Sequence, residues 1–338
     1  MATNDAWLSG TIEATLDPER PICDAHHHLW NFRTGSVEEC YLLDDFLRDT
    51  SSGHNIVSTV FIECGAMFKA NGPTSMRPIG ETEFANGMAA MSASGHYGNI
   101  RVAAAIVGTV DLTLGDAVPV VLEAQMAAGG GRFRGIRHGA TWHQDLRIPN
   151  HRTDPPPGLL MDQAFRSGFG HLATFGLTFE AWCYHTQLHE VIHLARQFPE
   201  TLIVLDHLGG PLGVGPYSDQ AAAVFLEWNR AMTELAACDN VVAKLGGLAM
   251  EVNGFNWHRL PAPPTSDDLL KGCAHYYERT IELFGVDRCL FESNFPVDKV
   301  SCSYNTVWNA FKKLTKHYSA SEKAKLFHDN AQRIYRIA

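Results

Sequence analysis

The 338-residue chain lacks the short motifs that mark several large enzyme classes. It has no GxSxG segment, no P-loop and no GxGxxG turn after its first predicted strand. These absences disfavour a serine esterase, a phosphoryl-transfer enzyme and a dinucleotide-dependent oxidoreductase, and we expect no organic cofactor. The eight cysteines are scattered and form no CxxC pair, so we expect reduced, mostly buried thiols in a cytosolic protein.

Positive charge and long apolar runs are also scarce. Lys and Arg number 27 against 37 Asp and Glu, which gives a formal net charge of -10 with histidine neutral. A chain this acidic has no general attraction to nucleic acid or anionic membranes, so we expect a small-molecule substrate. No apolar run approaches the roughly 18–20 residues of a membrane span, and the N-terminus does not read as a signal peptide. We expect a cytoplasmic protein, and assembly into a homo-oligomer stays open.

Short apolar, β-branched runs recur along the whole chain and predict strands. They lie at 22–28, 56–64, 100–108, 133–139, 177–184, 202–208, 241–247 and 289–295. Helical periodicity separates them, as at 186–198, 221–238 and 321–337, where Ser321 and Glu322 would start the last helix. The alternation favours an α/β fold, a (β/α)8 TIM barrel, over a doubly wound open sheet. We expect an N-terminal extension over residues 1–21 and a single barrel domain over 22–338.

The connections predict which end of the barrel carries the site. Those from helix to strand are short, whereas three from strand to helix are long, namely 65–80, 140–160 and 249–267. In such barrels the site lies at the C-terminal ends of the strands, within these loops. The three long loops should therefore gather over one pocket.

Histidines follow several of the predicted strands. In Asp24-Ala-His-His-His-Leu-Trp30, His26 and His28 should point to the same side of strand one, with His27 pointing away. The pair could bind one metal ion or a polar substrate group, or the histidines could simply be solvated at a strand end. His207 lies at the end of strand six, and His185 could reach the same mouth from strand five or cap the next helix.

Charged residues within strands suggest further contacts. Arg137 or its neighbour His138 could meet an anionic group of the substrate at the end of strand four. Lys244 lies inside an apolar strand, which is costly unless it is paired, and Glu63 is a candidate partner. An aromatic wall for the substrate is expected from Trp30, Trp142, Trp182 and Phe295.

Strand eight supplies Glu292 and Asn294 on one face, with Asp298 just beyond Pro296. Glu292 should lie about 7 Å deeper than Asn294. Asp298 could be a reactive carboxylate, or it could form a solvated pair with Lys299 at a helix start.

Taken together, the DAHHHLW, LDHLGGP, KLGGL and ESNFPVDK segments resemble the amidohydrolase-related proteins of the amidohydrolase superfamily. The branch that is most similar contains 2-pyrone-4,6-dicarboxylate lactonase and the sugar lactonases. The resemblance runs from about Asp24 to Arg336 and implies a distorted (β/α)8 barrel with hydrolysis at its mouth. It places His26 and His28 on the strand-one HxH motif and His207 on the strand-six histidine.

One position departs from the family pattern. The strand-eight aspartate of the family, a general base or metal ligand, corresponds here to Asn294. An amide cannot accept a proton at neutral pH, although its oxygen can bind a metal or orient water. The family is mixed in its use of zinc or manganese, and its strand-five histidine has His185 as the nearest match. His26 and His28 could thus bind a divalent metal, which we expect to be weakly held.

These observations predict a hydrolase acting on a lactone or a similar activated ester of a small organic acid. Water would attack the carbonyl, His26, His28 or His207 would polarise it, and Arg137 and Lys244 would hold a substrate carboxylate. The displaced base is expected to be Asp298, ahead of Glu292, since Lys299 would keep Asp298 ionised. A metal-dependent decarboxylase and a non-catalytic barrel that binds a small molecule are the alternatives.

Overall fold

Eight parallel strands, paired in chain order, form the centre of the molecule in this computed structural model, which describes residues 4–36 and 38–337. The strands are β1 (Ile22–His27), β2 (Ile56–Ile62), β3 (Arg101–Gly108), β4 (Phe133–Arg137), β5 (Thr178–Ala181), β6 (Ile203–Leu205), β7 (Val241–Leu245) and β8 (Cys289–Phe291). All eight lie where the sequence predicts strands, and the (β/α)8 barrel is confirmed. Most end earlier than predicted, because polar residues at their C-terminal ends leave the ladder to form the barrel mouth.

The barrel closes between the first and last strands. His27 and Phe295 form a parallel bridge, the His28 amide donates to the Phe295 carbonyl at 2.8 Å, and the Asn294 amide donates to the His26 carbonyl at 3.0 Å. The segment after β8 is thereby fixed beside the histidines that end β1. As predicted, His26, His28, His207 and Asn294 lie at the same end of the barrel.

Helices surround the strands in the expected alternation. They are α1 (Asp5–Leu8), α2 (Leu43–Thr50), α3 (Ile79–Ala93), α4 (Val118–Ala128), α5 (Gln163–Phe169), α6 (Leu188–Gln197), α7 (Ala221–Ala236), α8 (Ser266–Phe284), α9 (Tyr304–Leu314), α10 (Ala320–Ala324) and α11 (Asn330–Ile334). The single helix predicted at 321–337 is interrupted by a π-helical turn at Lys325–Asp329. It also begins one residue earlier than predicted, since Ser319 caps it and exchanges hydrogen bonds with Glu322.

Apolar side chains fill the lower barrel, at the N-terminal ends of the strands. Val60, Val204, Val242 and Leu290 pack there against Ile334 and its neighbours on the last helix. The outward faces of the strands pack against the helices in a larger core. One end of the barrel is thus closed by an apolar plug, which leaves the opposite end for chemistry.

The N-terminal extension packs along the outside of the barrel. Thr11 Oγ1 donates to the Pro263 carbonyl at 2.6 Å, and the Leu16 amide donates to Asn309 on α9 at 2.9 Å. All eight cysteines are free thiols, and only Cys40 is exposed. Within the described residues, no helix has the length and apolar character needed to cross a membrane.

Candidate active site

The two histidines that end β1 meet inside the mouth of the barrel. His26 Nε2 and His28 Nε2 lie 3.1 Å apart, and both side chains are buried. His27 points outward, where its ring stacks on Phe46 with centroids 4.2 Å apart. The predicted alternation of side-chain direction along the strand is confirmed. It brings the two outer imidazoles of the HxH pattern together on one side.

Hydrogen-bond partners assign the tautomer of His28. Its Nδ1 donates to the Ile62 carbonyl at 2.8 Å, which leaves Nε2 as an acceptor. His26 Nδ1 faces both a cation and a carboxylate, since Lys244 Nζ lies 3.1 Å from it and Glu292 Oε2 lies 2.8 Å from it. Burial lowers the pKa of His26 to about 4, and the Lys244 charge acts in the same direction. Burial also lowers the pKa of His28, so both imidazoles of the pair are neutral.

A carboxylate holds His207 beside this pair. His207 Nδ1 donates to Glu292 Oε1 at 2.7 Å, and the other carboxylate oxygen lies 2.8 Å from His26 Nδ1. Burial would raise the pKa of Glu292, but His207 and His26 outweigh it and hold this pKa below its ordinary value. Since Nδ1 of His207 is the donor, its Nε2 is left as an acceptor, and the ring lies 4.7 Å from that of Trp182. The arrangement is an ionised carboxylate that orients an imidazole.

The backbone at this point is strained. His207 and Leu208 have φ values of 52° and 55°, in the left-handed region that β-carbons disfavour. Gly247 on the neighbouring loop leaves room for the ring, since a Cβ there would lie 2.1 Å from His207 Nδ1. Non-glycine residues in this conformation cluster at functional sites, where the surrounding structure holds them in place.

The two buried cations inside the barrel are matched by carboxylates of the protein. Lys244 Nζ lies 2.7 Å from Glu180 and 3.1 Å from Asp206, while Arg137 lies 2.7 Å from Glu63 and 3.1 Å from Asp206. The suggested pairing of Lys244 with Glu63 is therefore wrong. In the strand order, β7 lies closer to β5 and β6 than to β2, which places Glu180 and Asp206 within reach of the ammonium. Both cations are thus already paired within the protein.

After β8, Asp298 and Lys299 contact other partners than the sequence predicted. Asn294 Nδ2 donates to Asp298 Oδ1 at 2.8 Å, and Asp298 Oδ2 accepts from the Ala249 amide at 3.1 Å. Burial raises the pKa of Asp298 to about 7. Lys299, which was expected to keep it ionised, instead contacts Asp49 at 3.1 Å and belongs to a cluster with the first helix. Asp298 lines a small cavity of about 20 Å³ that is lined also by Tyr277 of α8 and Phe311 of α9.

An open cleft of about 620 Å³ is lined by Trp30 and Trp182, whose rings lie 6.1 Å from His28 and 4.7 Å from His207 respectively. Its lining comes from the loops after β1, β4, β5, β7 and β8, and comprises Trp30, Arg33, Gly35, Ser36, Thr141, Pro149, Asn150, His151, Arg152, Trp182, Tyr184, Met250, Glu251, Val252, Pro296, Val297 and Val300. Two of the three long loops, 140–160 and 249–267, contribute as predicted. The segment 65–80 does not, because Glu81 binds the amides of Cys64 and Ala66 and holds the start of that loop against α3.

The predicted aromatic wall is divided. Trp30 and Trp182 line the cleft, and the His28 ring lies 6.1 Å from that of Trp30. Phe295 is instead fully buried and packs edge-on against Tyr304 at 5.0 Å, while half-buried Trp142 lies outside the cleft lining. Phe295 pairs with His27 where the sheet closes. Its side chain therefore points toward the surrounding helices, as that of His27 does.

His185 lies in a short 3-10 turn before α6 but does not cap that helix, whose N-cap is Gln187. Its Nδ1 accepts from the Leu212 amide at 3.3 Å, and its ring packs on Tyr217. Sequence reasoning had also missed Asp206, although that residue directly follows β6 and precedes His207. Sequence reasoning also missed the two arginines of the cleft, Arg33 and Arg152. Both lie on loops, so no strand pattern in the sequence pointed to them.

The residues present could hold a divalent metal ion. Candidate ligand atoms of His26, Asp206 and His207 lie within 4.8 Å of one another, and His26 and His28 bring two Nε2 atoms together. A ligating histidine typically donates its other ring nitrogen to a carbonyl or carboxylate, as His28 and His207 do here. Binding through His26 Nε2 requires the ring proton to be on Nδ1, where Glu292 Oε2 lies 2.8 Å away and can accept it. The donor set therefore fits a metal ion, but the neighbouring Lys244 and Arg137 oppose its charge.

Known proteins resemble this chain in sequence or in fold. An uncharacterized protein, y4mH of Sinorhizobium fredii, is 34% identical over 94% of this chain and 98% of its own length. An L-fucono-1,5-lactonase of Burkholderia multivorans is 28% identical over 69% of this chain and 72% of its own length. The crystal structure of a Burkholderia multivorans amidohydrolase with bound zinc shares the fold, with a TM-score of 0.70 and 23% identity, over 94% of this chain and 99% of that one.

A family model described as amidohydrolase matches residues 23–337, nearly the whole barrel. That match covers every residue of the site, from the histidine pair of β1 to Asp298. The protein belongs to the amidohydrolase family and is a hydrolase of that family.

Proposed function

We propose that the protein is a lactonase that opens a small cyclic ester by attack of water on its carbonyl carbon. The observation that carries this proposal is the Glu292–His207 pair, an oriented imidazole whose ring packs against Trp182 of the open cleft. The resemblance to an L-fucono-1,5-lactonase supports a lactone as the substrate. The aromatic rings of Trp30 and Trp182 would contact the apolar faces of a ring-shaped substrate.

His207 is assigned the general base. Its Nε2 accepts a proton from water as the new C–O bond forms, and Glu292 stabilises the resulting imidazolium through Nδ1. The same proton then passes to the ring oxygen as the lactone C–O bond breaks, which yields a hydroxy acid and restores neutral His207. No net proton is required from another group until the product acid ionises.

His26 and His28 are assigned to the carbonyl side of the reaction. The His26 and His207 ring centroids lie 4.6 Å apart, so a carbonyl above the pair would be close to the activated water. A divalent metal held by His26 and His28 would supply Lewis-acid polarisation of that carbonyl. Lys244 and Arg137 set the position and protonation of these imidazoles from below.

The sequence favoured Asp298 over Glu292 as the carboxylate that takes part in catalysis, and this assignment reverses that order. Glu292 contacts two of the histidines directly, whereas Asp298 bonds Asn294 and a backbone amide and faces a separate small cavity. Both carboxylate oxygens of Asp298 therefore accept from groups other than the histidines. We place Glu292 ahead of Asp298, as the group that orients the base.

Turnover on a panel of sugar and organic-acid lactones tests the proposal, with ester opening followed by proton release. Wild-type protein should hydrolyse at least one lactone, and His207→Asn should lose that activity while keeping its melting temperature. The same proteins are incubated with aromatic carboxylic acids, and release of carbon dioxide is measured. Decarboxylation without lactone opening would show that the protein is a decarboxylase instead of a lactonase. Absence of both reactions would indicate a non-catalytic barrel that binds a small molecule.

A further inference from the structure

Two arginines of the cleft, Arg33 and Arg152, meet at one short segment of backbone. The Arg33 guanidinium donates to the Cys64 carbonyl, and the Arg152 side chain lies against Gly65, the next residue. A Cβ on Gly65 would lie 2.5 Å from Arg152 Nε, and the φ of Gly65 is +75°. The absence of a side chain at Gly65 thus lets the second guanidinium approach the same turn as the first.

The charge of Arg33 is not compensated. In the described part of the chain it forms no ion pair with a carboxylate, and its guanidinium lies 4.0 Å from the ring centre of Trp30. Arg152 bonds Glu63, and Glu63 also binds Arg137, which in turn bonds Asp206. The excess positive charge on this side of the cleft is therefore that of Arg33, in a protein whose net charge is -10.

Arg33 lies near the histidine pair. Its guanidinium lies 4.0 Å from the centre of the Trp30 ring, and the Trp30 and His28 ring centroids lie 6.1 Å apart. Arg152 lines the same cleft, with its Nη1 2.9 Å from His151 Nε2. A substrate in this cleft can therefore place an anionic group on the arginines while its carbonyl lies near His28.

We propose that Arg33 and Arg152 bind a carboxylate of the substrate, so that the natural substrate is a lactone carrying a free carboxylate group. This inference rests on the proposed lactonase function and narrows its substrate class. A guanidinium presents a planar fork of donors that matches a carboxylate. The sequence suggested that Arg137 and Lys244 would hold a substrate carboxylate, but both are already paired with carboxylates of the protein. We assign that role to Arg33 and Arg152 instead.

A matched pair of substrates tests the proposal. An aldonolactone ends in a neutral hydroxymethyl group, and the corresponding aldarolactone carries a carboxylate at that position. The kcat/KM of wild type should be higher for the aldarolactone. Arg33→Met should reduce it by about 10- to 100-fold, as expected for lost hydrogen bonds to a charged group, and should change the aldonolactone value by less than about threefold.

Arg152→Met should act in the same direction, and Arg147→Met is the matched control. Arg147 lies on the same loop as Arg152, but it is exposed, pairs with Asp145 and lies outside the cleft lining. Its substitution should leave both lactones unaffected. Arg33→Met is the cleaner of the two cleft variants, since it breaks no ion pair, and melting temperatures identify any variant that fails to fold.

Three results separate this proposal from the lactonase assignment. A wild-type preference for the neutral lactone, or an equal loss on both lactones in Arg33→Met, overturns the carboxylate site and leaves the lactonase function standing. A phosphorylated aldonolactone preferred over the aldarolactone also overturns the carboxylate assignment, in favour of a phosphate site. If no lactone is hydrolysed, calorimetric binding of the open aldarate by wild type, lost in Arg33→Met, upholds the carboxylate site while the lactonase assignment fails.

Discussion

The two ends of the barrel are built from the same strands with opposite chemistry. On β6, β7 and β8, the apolar residues Val204, Val242 and Leu290 are each followed two residues later by Asp206, Lys244 and Glu292. Residues two apart face the same side, so each strand places an apolar side chain in the lower barrel and a charged one about 7 Å above it.

The difference teaches how a buried charged layer is tolerated. Lys244 and Arg137 are each within ion-pair distance of two carboxylates, and Glu292 is matched by two imidazoles. The apolar layer below requires no such partners and is closed by Ile334 and Tyr335 of the C-terminal helix. The upper layer should therefore control turnover, and the lower layer should control stability.

The largest expected effect is at the mouth. His207→Asn should lower kcat/KM by about 10³- to 10⁴-fold, because the general base is lost, with little change in melting temperature. Glu292→Gln should cost nearly as much, since an amide cannot stabilise the imidazolium. Steady-state kinetics on the best lactone measure both.

Asp298→Asn is the companion to these variants. It should reduce turnover by no more than about tenfold, because the hydrogen bonds of Asp298 go to Asn294 and the Ala249 amide and not to the histidines. Loss of activity in Asp298→Asn, with turnover preserved in Glu292→Gln, would restore the ranking that the sequence favoured.

The second prediction concerns the apolar plug. Ile334 is 4% exposed, so Ile334→Ala should lower the free energy of unfolding by about 2–5 kcal/mol while kcat stays within about twofold of wild type. Ile12→Ala, at a residue that is 87% exposed, serves as the control. Denaturant unfolding and kinetics on the same samples check both values. A fall in kcat without a loss of stability would contradict the division between the two ends.

The third prediction is a pH dependence located away from the mouth. His54 precedes β2, its Nδ1 lies 2.7 Å from Lys312 Nζ, and burial lowers its pKa to about 4, with Lys312 acting in the same direction. His54 therefore binds a proton more tightly in the unfolded chain than in the folded protein. The stability that the neutral, buried His54 contributes is complete above about pH 6.5 and is lost as pH falls through 4.

His54→Gln removes this titration. Between pH 7.5 and pH 5, wild type should lose about 1–2 kcal/mol more unfolding free energy than His54→Gln does. Exposed His193 provides the control, since His193→Gln should follow the wild-type curve. Parallel curves for wild type and His54→Gln would show that His54 is not the titrating group.

The smallest expected effect is that of metal removal. The family's strand-eight carboxylate is replaced by Asn294, and Lys244 and Arg137 lie 3.1 and 3.5 Å from His26. We expect less than stoichiometric zinc by elemental analysis, and dialysis against a chelator should change turnover by less than about threefold. Stoichiometric zinc that survives dialysis, with activity that depends on it, would show that the charged layer is built around a metal ion.

Local patterns determined much of this protein. Eight apolar runs specified the strands and the barrel, and the HxH alternation correctly oriented His26, His27 and His28. These features depend on neighbours within a few residues, which the sequence displays directly.

Only the tertiary structure decided which charges meet. Lys244 pairs with Glu180 and Asp206 instead of Glu63, and Lys299 turns away from Asp298 toward Asp49. Arg33 and Arg152, more than a hundred positions apart in the sequence, meet at Gly65. Ion pairing follows distance in space, and barrel closure and loop packing set that distance by bringing together residues whose separation along the chain carries no such information.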